Sequence, residues 1–369
     1  MADSSIRPRL YAALPKPTAR VGPINNEISI RRLLVLRNGP NPTFSYYLEE
    51  RLKRTPIPAE IRNLDEFLGD VDPDGLFVIV CRYIRPRQLL WMYRHRKSFA
   101  GTSLMIDDDI AATVVDKEGT LGYKAYLAAI GLVPIPVLNN ILSDIWVSTP
   151  RLADRLKRDD ARQPVVLPPF PPADTYTPSP LEGDGKEVKM AFHSTGNHDL
   201  EHEFLVPIVR DALALCPNLS FEVTASSHRL ERLWTSARLP SRRLTVKSHR
   251  SWNQYLSETK QQHIDILLVP LLQSRMNNVR SGTKRFDCAR MGAAAIFSSG
   301  QVYGEAESAG EILIENNPRI WLETILNLAR NSELRRKARN ATEASIMAHL
   351  AKTPSQLPFH RNEQRSQDT

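Results

Sequence analysis

Apolar positions along this chain come in short runs of strand length that alternate with longer stretches of helical period, the pattern of βα units on a parallel sheet. Four such runs stand out in the first half: RLLVLRNG at 32–39, LFVIVCRY at 76–83, TSLMIDDD at 102–109 and DIWVSTP at 144–150. Segments 44–53, 86–97 and 151–157 read as helices that follow them. Residues 164–187, PVVLPPFPPADTYTPSPLEGDGKE, are too rich in proline and polar side chains for a long helix or a central strand. A second series then opens, with VKMAFHS, LSFEVTAS, RLTVKSH, DILLVPL, AAAIFSS and EILIE as strands and helical patterns at 203–215, 251–260 and 284–291. A last helical stretch covers 320–350, with a break expected near Asn331.

Two series of this kind predict an α/β protein of two Rossmann-like, doubly wound domains with an interdomain cleft. The expected division is a flexible basic tail at 1–27, a first domain at 28–165, a Pro-rich linker at 166–187, a second domain at 188–352 and a polar tail at 353–369. Open parallel sheets bind ligands beyond the carboxyl ends of their strands, so functional residues are expected after 32–36, 102–106, 188–192 and 266–270.

Composition adds to this only in part. With 369 residues the chain is long enough for two domains, and 41% apolar with 24% charged residues is ordinary for a globular protein. The net charge of +8 favours an anionic partner. No nucleic-acid motif is present and aromatics are sparse, so nucleic acid is not the expected partner. The apolar stretch 126–138 is short and broken by Gly131, Pro134 and Pro136, and is not expected to cross a bilayer. The N-terminal residues show no continuous apolar run, and Cys81, Cys216 and Cys288 are widely spaced without a CxxC pattern. A cytoplasmic location is therefore expected, and neither a disulfide framework nor a zinc site. Arg94, His95, Arg96 and Lys97 form a basic helix end, suited to water, an acidic acceptor or an anionic leaflet.

The segment richest in chemistry is SRMNNVRSGTKRFDCARMGAAAIFSS at 274–299. Arg280 and Lys284 carry positive charge, and Ser281, Gly282 and Thr283 stand at the start of a helix, where backbone N–H groups attract anions. A solvated basic turn is the plain alternative. This segment resembles the donor-binding region of family 4-like GT-B glycosyltransferases, with Lys284, Phe286, Asp287, Ala289 and Gly292 in the places of a K-x-hydrophobic-acidic-x-A-x-x-G helix. Residues 144–158, 191–223 and 310–342 are similar to three further segments of that family.

The resemblance implies the GT-B fold and a transfer of sugar from a nucleotide-sugar donor, bound by the second domain, to a glycan or lipid-linked acceptor. It points to bacterial surface polysaccharide synthesis with retained configuration, and to no cofactor or metal besides the donor. Arg280 and Lys284 would stabilise the leaving diphosphate. Asp287 would hold donor hydroxyls, although the eighth residue before it is Val279 where the fuller family pattern is acidic. His193, Thr195 and Gly196 would approach the diphosphate from the first loop of the second domain, and Trp252 with Tyr255 would receive the base. Gly39, beside Asn38 and Thr43, would face the cleft from the first domain, and Asp108, between Asp107 and Asp109, would act on the acceptor side.

Three alternatives stay open on the residues alone. The Asp107–Asp109 run resembles the metal-binding DxD motif of the GT-A class. A nucleotide-sugar epimerase shares the two-domain plan, and a basic binding protein without catalysis needs only the charge. His198 and His202 stand four apart, a metal-ligand spacing that lacks a third partner.

Overall fold

The computed structural model describes residues 3–20, 28–178, 187–194, 196, 198–304 and 310–359. The apolar runs of the first half form one six-stranded parallel sheet: β1 (Arg32–Arg37), β2 (Ala59–Asn63), β3 (Leu76–Cys81), β4 (Phe99–Ile106), β5 (Asp144–Val147) and β6 (Val165–Val166). Their order is β2-β1-β3-β4-β5-β6. β3 and β4 are buried along their whole length, which is why they read as unbroken apolar runs. β2 escapes the hydrophobic pattern because AEIRN lies at the sheet edge and is half exposed, and β6 hides in the Pro-rich stretch.

The second series folds as expected. Strands β7 (Val188–Phe192), β8 (Leu219–Ala225), β9 (Leu244–Ser248), β10 (Ile266–Val269), β11 (Ala294–Ser298) and β12 (Ile312–Ile314) pair in parallel in the order β9-β8-β7-β10-β11-β12. The order reverses between β7 and β10, as it does between β1 and β3 in the first sheet, and such reversals open crevices for ligands. Two complete parallel sheets set aside the GT-A alternative raised by the aspartate run. The long C-terminal helical stretch is two helices, Pro318–Arg330 and Ser332–Lys352, and Asn331 between them accepts a hydrogen bond from the Leu334 N–H.

The ends of the chain correct the sequence reading. Residues 3–13, expected in a flexible tail, form a helix (Asp3–Ala13) whose buried Tyr11 donates its hydroxyl to Asp109 Oδ2 at 2.7 Å. Ala19–Arg20 then pairs antiparallel with Ala161–Arg162, so 3–20 belongs to the first lobe. Residues 353–359, expected in a polar tail, return to that lobe as well: Leu357 is buried and the Phe359 ring meets Phe77 edge-on at 5.0 Å.

Arg51 fastens this return. It is fully buried and donates to the Tyr47, Pro168 and Pro354 carbonyls, joining the first lobe, the Pro-rich stretch and the segment after the last helix. Burial pushes its pKa down to about 10, and carbonyl dipoles rather than a carboxylate balance its charge. A core of mixed origin lies between the lobes, where Phe44, Tyr46, Tyr47 and Trp146 pack with Phe286, Ala289, Ile346 and Leu357.

Candidate functional site

A cavity of about 420 Å³ opens between the lobes. Its walls are the segments that follow β1, β4, β7 and β10: Pro40 and Pro42, Asp107 and Asp108, His193 and Ser194, Pro270 and Leu271. Those are the four places the sequence pattern singled out.

The charges are arranged across the cleft. Arg280, from the second lobe, sets its Nε 3.4 Å from Asp108 Oδ1 in the first lobe. Arg82 completes the group, with Nη2 at 3.0 Å from Asp108 Oδ2 and Nε at 3.3 Å from Asp107 Oδ1. Thr43 donates to Asp107 Oδ2 at 2.7 Å. Burial and the neighbouring Asp108 raise Asp107 above the usual carboxylate range, although Arg82 opposes them. Burial works against the charge of Asp108 too, but Arg280 and Arg82 together outweigh it and hold Asp108 below that range. Two adjacent carboxylates are thus pushed apart in acidity by their surroundings.

Arg82 went unnoticed in the sequence because it closes an apolar strand. Its backbone φ of 67° lies in the left-handed region, a strained conformation for a bulky residue, and such strain collects at functional sites. The signal available was a lone arginine at the carboxyl end of a fully buried strand.

Lys284 lies over the Tyr255 ring and its Nζ is 3.0 Å from Asp287 Oδ2. Burial opposes its charge, yet Asp287 and Tyr255 hold its pKa above the ordinary lysine value. Asp287 also lines the cavity, and its carboxylate is already engaged by protein groups. Arg290 Nη2 at 2.6 Å and the Tyr46 hydroxyl at 2.8 Å both donate to its Oδ1, and it is 3% exposed. Its carboxylate orients Lys284 and ties the second lobe to Tyr46 of the first.

The histidines take definite tautomers. A guanidinium only donates, so His198 Nε2 accepts from Arg280 Nη1 at 2.8 Å and its proton sits on Nδ1, toward Glu201. Burial and Arg280 lower the His198 pKa and keep it neutral. His202 accepts from Trp234 Nε1 at 2.8 Å and therefore donates from Nε2 to Ser194 Oγ at 2.9 Å, with its pKa pushed down by burial to about 3. The two histidines thus serve different neighbours, not one metal. His193 donates from Nε2 to Glu222 Oε1 at 2.9 Å. Its Nδ1 and the Tyr255 hydroxyl are buried polar atoms on the wall of the cavity that have no hydrogen-bond partner among the described residues, which leaves them for a ligand.

The remaining candidates divide. Ser281 and Thr283 line the cavity, and Ser281 is bonded to the Tyr47 hydroxyl across the lobes. Trp252 lines it as well, but its indole N–H donates to Ser45 Oγ at 3.0 Å and its ring meets Tyr46 edge-on at 5.4 Å, so it also docks on the first lobe. Gly282 borders a second cavity, which Phe286 and His349 also line. Gly39, at φ 65°, and Gly196 turn the loops that form the walls without lining the cavity themselves. Thr195 lies outside the described residues.

No family profile matches the sequence, and no curated protein matches it. Among solved structures the chain is similar to a mutant of S. aureus TarM in complex with fondaparinux, alpha-GlcNAc-glycerol and UDP, at 10% identity and a TM-score of 0.51, over 78% of this chain and 55% of that one. It is also similar to the pneumococcal O-GlcNAc transferase GtfA in complex with UDP and GlcNAc, at 14% identity and a TM-score of 0.50, over 74% of this chain and 55% of that one. A protein of Listeria monocytogenes assigned as a UDP-N-acetylglucosamine 2-epimerase matches at 10% identity and a TM-score of 0.50, over 90% of this chain and all of that one. The chain spans about half the length of the two transferase chains. The likeness is one of architecture: this protein has the GT-B fold, two Rossmann-like α/β lobes around a cleft.

Proposed function

We propose that this protein is a glycosyltransferase that takes a sugar from a nucleotide-sugar donor and passes it to a glycan or lipid-linked acceptor, in the synthesis of a surface polysaccharide. The observation that carries the reading is the pairing of Arg280 and Lys284 in one interlobe cavity with Asp107 and Asp108 on the facing wall. Breaking the sugar–diphosphate bond leaves negative charge, and two partly buried cations lining one cavity stabilise it better than fully water-exposed ones do. Diphosphate oxygens compete with Asp108 for the Arg280 guanidinium, so donor binding loosens an existing ion pair rather than building a new cation site.

In the transfer, the bond from the anomeric carbon to the diphosphate oxygen breaks and one to the acceptor oxygen forms. The acceptor proton goes to a phosphate oxygen if configuration is retained. If it is inverted, a protein base takes it, and Asp107 suits that task better than Asp108 because its pKa is raised rather than lowered. Asp109 is excluded from the role: it caps the helix Ile110–Val115 and pairs with Arg155 and Tyr11.

A second reading, a nucleotide-sugar epimerase, draws support from size, since the chain matches the whole length of the epimerase and only about half of the transferases. Thermal shift against UDP-, GDP-, ADP-, CMP- and dTDP-sugars tests the donor site that both readings share. One nucleotide family at about 100 times its Kd is expected to stabilise the protein by roughly 2.7 kcal/mol. Arg280→Ala and Lys284→Ala should each remove most of that gain. Product analysis then separates transfer from epimerisation, and stabilisation by no nucleotide sugar overturns both.

A further inference from the structure

The sequence from 119 to 143 contains no Asp or Glu and a single cation, Lys124. It folds as two short helices, Leu121–Gly131 and Ile135–Leu138, and less than half of the 121–138 window is buried. Leu121 is 85% exposed and Val133 71%, with Tyr126 and Val137 also open to solvent. A helix of 11 residues rises only about 17 Å, against roughly 30 Å of bilayer hydrocarbon, so this segment cannot span as folded. It is an apolar face lying along the surface of the first lobe.

The helix Pro86–His95 packs against the second of these helices, Ile135–Leu138. Residues 83–106, which include this helix, hold five Arg or Lys and no Asp or Glu. The exposed side of this helix carries Leu90 and Tyr93 beside Arg94, and the Arg96 guanidinium lies 4.2 Å from the Tyr93 ring centre. Arg87 stacks likewise on Phe67, which is 60% exposed. Apolar and aromatic bodies carrying guanidinium heads suit the headgroup zone of a membrane, where rings enter the acyl boundary and cations meet phosphate.

We propose that this combined face seats the first lobe on an anionic phospholipid surface. Charge complementarity selects that occupant: an acid-free apolar strip flanked by arginines meets a negative leaflet, whereas a second copy of this chain would set arginines against arginines. The seat also adjoins the cleft. The Tyr126 hydroxyl accepts from Asn38 Nδ2 at 2.8 Å, and Asn38 begins the loop whose Pro40 and Pro42 line the cavity. A lipid-linked acceptor would therefore reach Asp107 and Asp108 from the membrane side. That last step rests on the transfer reading; the docking itself does not.

The test is co-sedimentation of the full chain with vesicles of phosphatidylglycerol and phosphatidylcholine in equal parts, and with phosphatidylcholine alone, at low and high salt. Binding is expected to the anionic vesicles only and to weaken with salt. Arg94→Gln/Arg96→Gln should weaken it roughly 30-fold, at about one electrostatic increment per arginine. Leu121→Asp/Val133→Asp should weaken it at least about tenfold, while melting temperature and nucleotide-sugar stabilisation stay at the wild-type value because these side chains are exposed. No binding to anionic vesicles at low salt, or binding that neither variant weakens, overturns the proposal. So does a wild-type dimer that Leu121→Asp/Val133→Asp dissolves without any vesicle binding, since a second copy would then cover the face. The measurement involves no donor and no turnover, so it stands or falls apart from the transfer reading.

Discussion

At the scale of single residues, the charges of this cleft are held by one another before any ligand is considered. Arg280 engages Asp108 and His198, Lys284 engages Asp287, and Arg82 spans Asp107 and Asp108. Glu118 departs from that pattern, with carboxylates rather than cations around it. This first-lobe carboxylate is 4% exposed and accepts from the Leu200 N–H at 3.3 Å, at the start of the second-lobe helix Asp199–Leu215. Burial, then Glu201, raises its pKa to about 7, with Asp116 and Asp199 adding to the shift and the Leu200 hydrogen bond opposing it. The native protein therefore keeps a proton that the unfolded chain releases near pH 4.3. Stability is fully present below that pH and is lost as pH rises toward about 7, by up to about 3 kcal/mol. Urea midpoints measured across this range should fall with pH in the wild type, and Glu118→Gln should flatten the decline. An equal slope in the variant would assign the decline to other groups.

At the scale of elements, one short helix does two jobs. Lys284–Arg290 presents Lys284 and Asp287 at the cavity and sets Phe286 and Ala289 into the core shared with the first lobe. Opposite it, residues 44–49 form a π-helical segment, a wider turn that recurs at functional sites. Three consecutive side chains there reach the second lobe: Ser45 to Trp252, Tyr46 to Asp287 and Tyr47 to Ser281. Removing Phe286 would leave a void between the lobes rather than within one. Phe286→Ala is expected to cost about 3–5 kcal/mol in chemical denaturation, with Phe286→Leu well below that because it keeps most of the volume. A cost under about 1 kcal/mol for the alanine variant would mean that the helix is not anchored in the first lobe.

At the scale of the molecule, the two sheets are separate but their cores are not. The mixed cluster around Tyr46, Trp146 and Phe286, the Arg51 clamp and the return of Leu357 and Phe359 all cross from one lobe to the other. Two lobes joined through so much apolar surface should melt together. Calorimetry is expected to show one transition with matching calorimetric and van't Hoff enthalpies. Two resolved transitions would show that the interlobe core is too weak to couple them.

Strand periodicity, the sites at the strand ends and the break at Asn331 were all readable from the chain, because each depends on local pattern: apolar runs, the loops that follow them, a capping side chain. Arg280, Lys284 and Asp108 were legible for the same reason, as charges placed where parallel sheets bind ligands. What contacts those charges make was not legible. Arg82 lies 26 residues from its partner Asp108, and Tyr46 lies 241 from Asp287. The sequence by itself thus determined the elements and where the chemistry collects, since both follow from period and strand order. Only the tertiary structure decided that Asp287 pairs with Lys284, Arg290 and Tyr46, and that the chain ends are built into the first lobe, because burial and pairing belong to residues brought together from distant parts of the chain.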